Sequence, residues 1–131
     1  MRTLLLAIIA AAAGALAAVQ ITAALRERDA YPRGLMDVMA HHAGALDQAV
    51  RTRRCAMDAT SGHLSMLVTM SGEIPGAFPD LMQDRQFAKF AQAAHVLDQQ
   101  VAANPPRDCP ALDKAMAQIG GDCDQCHRIY R

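Results

Sequence analysis

The chain has no tryptophan, and only two tyrosines and three phenylalanines in 131 residues. Strands draw on aromatic and β-branched side chains, so this scarcity argues against a sheet-rich fold. An excess of charge of either sign is also missing. Thirteen Lys and Arg balance thirteen Asp and Glu. That balance excludes the strongly basic surface of a nucleic-acid-binding domain, and no nucleic-acid partner is expected. No internal repeat or low-complexity region stands out beyond an Ala-rich leader. No βαβ pattern appears. Cysteine is sparse: of four, only Cys123 and Cys126 stand close together. A structural zinc ion usually takes four ligands from two such clusters, and the second cluster is absent. What is abundant is Ala, Met, Gln and Leu, which favour helices.

The most specific stretch is near the C-terminus: Cys123-Asp124-Gln125-Cys126-His127. C-x-x-C-H reads as a c-type haem attachment site. Each thiol adds across a haem vinyl group, and the adjacent imidazole meets the iron as proximal ligand. In a helix, positions 123, 126 and 127 fall at i, i+3 and i+4 and share one face. Arg131, at i+8, falls on that face too and offers a cation to a haem propionate. Competing readings explain less. A thioredoxin-like C-x-x-C belongs near a strand–helix junction. A disulfide within the motif leaves His127 without a role.

The N-terminus agrees with export, which haem attachment of this kind implies. Met1-Arg2-Thr3 is a short basic start, Leu4 to Val19 is apolar, and Ala15-Leu16-Ala17 supplies small residues for cleavage. Residues 1–17 read as a secretory signal peptide. The other reading is an uncleaved anchor, because Ile21 to Leu25 lengthen the apolar stretch enough to span a bilayer. Only in that case is a membrane a partner. Cleavage would leave 18–30 as a lead-in and 31–131 as one domain with a net charge of about −1.

Four helical stretches are predicted in that domain. The first runs from Tyr31 to Arg54, with Pro32 in its first turn. Met36, Met39, Ala43, Leu46 and Val50 recur at steps of three and four. The second runs from Met57 to Gly72, with Leu64, Leu67, Val68 and Ile74 giving the apolar spacing. Asp58, Thr60 and Ser61 compete as its caps. A long break follows over residues 71–79, rich in Gly and Pro. The third runs from Asp80 to Ala103 with a seam of Phe87, Phe90, Ala94, Leu97 and Val101, and Asn104-Pro105-Pro106 stops it. The fourth runs from Pro110 to the end. Leu112, Ala115, Met116, Ile119, Cys123, Cys126 and Tyr130 share its spacing. Gly120-Gly121 weakens this helix, which the close approach of haem or of a neighbouring helix would explain. The expected fold is all-α: an antiparallel up-down-up-down four-helix bundle, with haem near the C-terminal end of helix four. The start of the first helix, carrying Met36, then lies beside the end of the fourth.

Over residues 31–131 the chain resembles the class II c-type cytochromes, the cytochrome c prime family. Met116 to Arg131 carries the specific match, with C-x-x-C-H near the C-terminus, an aromatic residue three after the His and an Arg four after it. Tyr31 to Gly44 is similar to the family's opening helix, although Pro32 stands where the family usually has Arg, with Arg33 in the next place. The resemblance implies a propionate contact for Arg33 and a distal position at Met36. In cytochromes c prime proper that position is apolar, the iron is five-coordinate, and NO or CO binds. In low-spin relatives a Met closes the sixth site. A thioether ligand also raises the haem potential. The resemblance therefore implies one covalent haem c with His127 and Met36 as axial ligands. It implies a periplasmic single-electron carrier, not an enzyme, serving redox partner proteins the sequence does not name. The alternative is a haem protein that binds NO or CO because Met36 does not ligate or is displaced. Met39, His41 and His42 are the other distal candidates. Class II relatives often pair through their first two helices, which leaves a homodimer open.

Cys55 and Cys109 are not needed for haem. An oxidising compartment and their expected meeting at the bundle end away from the haem favour a disulfide, with two free buried thiols as the alternative. His63 and His95 sit singly in helical stretches and are expected to be surface or packing residues.

Overall fold

The computed structural model describes residues 2–130. It contains four α-helices: α1 (Arg2–Arg51), α2 (Met57–Ala77), α3 (Arg85–Ala103) and α4 (Cys109–His127). A 3₁₀ turn, Leu81–Gln83, precedes α3. No strand occurs among the described residues. The chain is all-helical, and its four helices are compatible with a bundle. Two compact units divide it, Met1–Arg33 and Gly34–Arg131.

In the N-terminal unit the helix is apolar and exposed. Leu6, Ile8, Ile9, Leu16, Val19, Ile21 and Leu25 are each more than half accessible. α1 is long and apolar enough at this end to cross a membrane, and none of the qualifying stretch is buried in protein. The first helix therefore starts far upstream of Tyr31. Ala and Leu are strong helix formers, and the run carries α1 on to Pro32, which lies inside the helix. Proline costs an interior hydrogen bond there, and the division between the units falls one residue later.

In the unit Gly34–Arg131, the helix ends follow local chemistry. α1 stops at Arg51, three residues short of the expected Arg54. Its end is a Schellman closure: the Arg54 N–H reaches the Ala49 carbonyl at 2.8 Å and the Arg53 N–H reaches that of Val50 at 3.1 Å. Arg53 adopts φ 55° to make it. α2 begins at Met57 behind Ala56, with no side-chain cap. Asp58, Thr60 and Ser61 do not occupy the N-cap; Asp58 accepts from the Ala59 N–H at 3.0 Å inside the first turn, and Thr60 donates back to the Ala56 carbonyl. α2 also runs on through the expected break to Ala77, with Pro75 inside it. Packing overrides the local signal, because Ser71, Ile74 and Ala77 are all buried on one face. The true break is shorter and later. The Asp84 carboxylate then caps α3, accepting from the Gln86 N–H at 2.7 Å. Asp108 caps α4 in the same way, accepting from Ala111 N–H at 2.8 Å. α4 ends at His127 rather than at the terminus. Beyond it Tyr130 folds back, its ring 5.2 Å from that of Phe87 and its hydroxyl donating to Asp84 Oδ2 at 2.7 Å.

Helix α3 packs closely on both α2 and α4. Gly72 permits part of this: a Cβ there would stand 3.2 Å from the His95 ring. Two core clusters form. One joins Leu46, Leu64, Leu67, Leu112, Met116 and Ile119 to Cys55. The other joins Leu35, Ile74, Ala77, Phe87 and Ala91. α1 enters them through Leu46 and Leu35, which are 0 % and 4 % exposed. Cys55 and Cys109 form a disulfide, with Cα atoms 5.2 Å apart. It ties the α1–α2 connection to the start of α4.

Candidate functional site

A cavity of about 230 Å³ opens between the two clusters. Its lining comes from all four helices. α2 supplies Leu67 and Ile74, and α3 supplies Phe87, Phe90, Ala94 and Leu97. Three of those α3 residues, Phe90, Ala94 and Leu97, are only half-buried. An apolar seam that looked like core in the sequence is thus partly the wall of a chamber.

α4 contributes the chemistry. Cys123, Cys126 and His127 all line the cavity, as the i, i+3, i+4 spacing requires. The two thiols are half-buried and His127 is exposed at the helix end. Gly120 lines the same wall. A Cβ at Gly120 or Gly121 would meet nothing within 4 Å. The glycines therefore do not accommodate a neighbouring helix, which corrects half of the expectation; the space beside Gly120 is the cavity itself.

From α1, Met36 and Met39 both line the cavity and both are half-buried. His41 and His42 do not line it. His41 is exposed, and His42 pairs with His63 across 2.8 Å between their Nδ1 atoms. His63 is therefore not the isolated side chain its sequence position suggested. His95 is a packing residue, with Nδ1 at 3.1 Å from Ser71 Oγ and Nε2 at 2.9 Å from the Gln99 amide. Arg33 is exposed and is the last residue of the N-terminal unit. Arg131 lies outside the described residues.

The electrostatics of the wall are one-sided. Asp47, Asp98, Asp122 and Asp124 line the cavity, and no described Lys or Arg does. Asp98 is 4 % exposed, a buried carboxyl among apolar neighbours. Burial pushes its pKa up, the Ser71 hydrogen bond and His95 oppose the rise, and Asp122 adds to it. Asp98 escaped the sequence reading. Its signal was its place at i+4 from Ala94 and one residue after Leu97, on the seam itself.

The thiols are the reverse of a reactive pair. Burial, then the nearby Asp98, Asp122 and Asp124, push Cys123 up to about 11. Burial also raises Cys126. The C-terminal end of a helix, the negative end of its dipole, acts in the same direction. Dithiol oxidoreductases instead depress a thiol pKa to hold a thiolate. This pair is shifted the other way. Among the described residues, no three His, Cys, Asp or Glu side chains are gathered to hold a bare metal ion. No family model matches the chain, and no curated protein or solved structure matches it either.

Proposed function

We propose that the chain is a class II-like c-type cytochrome, an antiparallel up-down-up-down bundle that carries single electrons on one covalently held haem. One observation carries the reading: both cysteines and the histidine of C-x-x-C-H line one apolar cavity that Met36 and Met39 also line. The donor set fits the group. Cys123 and Cys126 would hold it through thioethers, each S–H adding across a vinyl group with no oxidant needed. His127 would bind the iron from α4 and Met36 from α1. When bound, haem supplies a reversible one-electron couple. The chain's own part is to orient and to exclude water. Phe87, Phe90 and Leu97 make a low-polarity wall, which with a thioether ligand favours the reduced state. The protein is read as a carrier for redox partner proteins rather than as an enzyme.

The same chemistry supports a periplasmic location, as does the exposed apolar N-terminal helix, which cleavage would remove or a bilayer would cover. Arg131 remains the proposed propionate contact. The test is an absorption spectrum of the oxidised and reduced protein, made with haem-maturation machinery present. A low-spin spectrum with the weak red band of an iron–thioether bond is expected. Met36→Leu abolishes the band, and Met39→Leu leaves it. A high-spin spectrum that shifts with CO or NO would transfer the reading to gas binding. A colourless protein would end both.

A further inference from the structure

Away from the cavity, α1 and α2 bring three imidazoles together. His42 and His63 face each other with Nδ1 atoms 2.8 Å apart and ring centroids 5.0 Å apart. The His41 ring lies 5.2 Å from that of His42 and 6.5 Å from that of His63. Nothing in the electron-carrier reading uses them.

Two imidazoles joined through like nitrogens share one proton between two lone pairs: one ring donates and the other accepts. A divalent ion can take the place of that proton. Imidazole nitrogens bind such ions at about 2.0 Å. Two of them at right angles around one ion are then separated by about 2.8 Å, and at the tetrahedral angle by about 3.3 Å. The observed spacing lets one ion reach both nitrogens, and at nitrogen sites copper(II) binds more tightly than the other divalent first-row ions. The rings need only turn so that both lone pairs point to one side.

We propose that His42 and His63 form a binding site for a tetragonal divalent ion, copper(II) before nickel(II), with water in the remaining positions. Three surroundings favour it. No Lys or Arg lies within one helical turn of any of the three histidines on its own helix. Both ligating rings are half-buried, which limits their motion while leaving them partly accessible to solvent. The exposed His41, its ring 5.2 Å from that of His42, sets a third imidazole beside the pair. The site is independent of the haem reading.

The test is a titration of the full chain with copper sulfate in a weakly coordinating buffer at pH 7, after any free thiols are blocked with iodoacetamide. Calorimetry is expected to count one ion per chain, and electron paramagnetic resonance to show a tetragonal cupric centre with nitrogen ligands. His42→Gln and His63→Gln should each weaken binding by about tenfold or more, since even outer-shell changes cost that much. His95→Gln should leave it unchanged. Circular dichroism of each variant confirms that the helices remain. Absence of binding at equal micromolar concentrations, or binding that persists unchanged in both His42→Gln and His63→Gln, would overturn the proposal.

Discussion

Asp98 is the residue whose environment departs most from its chemistry. A carboxyl 4 % exposed beside Ser71 and Cys123 keeps its proton more tightly folded than unfolded. The sign follows: the native state binds more protons through the window from the ordinary carboxylate range up to the raised native value. Stability contributed by Asp98 is therefore full at low pH and falls as pH rises through that window. Asp98→Asn removes the fall. Urea unfolding across pH 4–8 should show the variant gaining on the parent as pH rises. A pH-independent difference would mean the carboxyl is not the source. Met36, by contrast, was readable as a position but not as a ligand. Periodicity put it on the apolar face, and the structure puts it on the cavity wall beside Met39.

At the scale of elements, the helix ends give two tests. Arg53 holds φ 55° to close α1, a conformation that costs a non-glycine residue about 1 kcal/mol. Arg53→Gly is expected to relieve it and raise stability by about 0.5–1 kcal/mol, read as a higher denaturation midpoint. A lowered midpoint would mean that flexibility gained in the unfolded chain outweighs the strain. Asp84 does two jobs, capping α3 and accepting from Tyr130. The Tyr130 hydrogen bond first, then the Gln86 N–H, hold its carboxyl below the usual range. A depressed native pKa contributes stability above the unfolded value and loses it as pH falls through the native one. Asn caps about as well as Asp. Asp84→Asn should therefore be less stable than the parent at pH 7 and converge on it in acid, as thermal melts would show. The α2 boundary teaches a different lesson. Gly and Pro around residue 75 signalled a break, yet burial of Ser71, Ile74 and Ala77 carries the helix through. Local propensity is worth tenths of a kcal/mol to a few kcal/mol, and a buried face can exceed it.

For the molecule as a whole, the disulfide is the longest covalent tie. Cys55 and Cys109 are 54 residues apart. Closing a loop of that length removes unfolded-chain entropy worth about 4 kcal/mol. Cys55→Ala with Cys109→Ala should lose most of that in urea unfolding, with the helical signal before the transition retained. A loss below about 1 kcal/mol would place the stability in the clusters around Leu46 and Ile74 instead.

The sequence by itself determined the helical class and put the two thiols and the histidine on one helical face. Each rests on local spacing or on a count, and spacing survives folding because a helix has one period. Only the tertiary structure decided that Phe90, Ala94 and Leu97 wall a cavity rather than fill a core. Periodicity tells which side of a helix is apolar, but not how far away the facing helix stands. The same holds for Asp98, whose burial depends on α2 and α4, and for His42 and His63, twenty-one residues apart and 2.8 Å across. Such pairings are set by how helices pack against one another, which no single segment encodes.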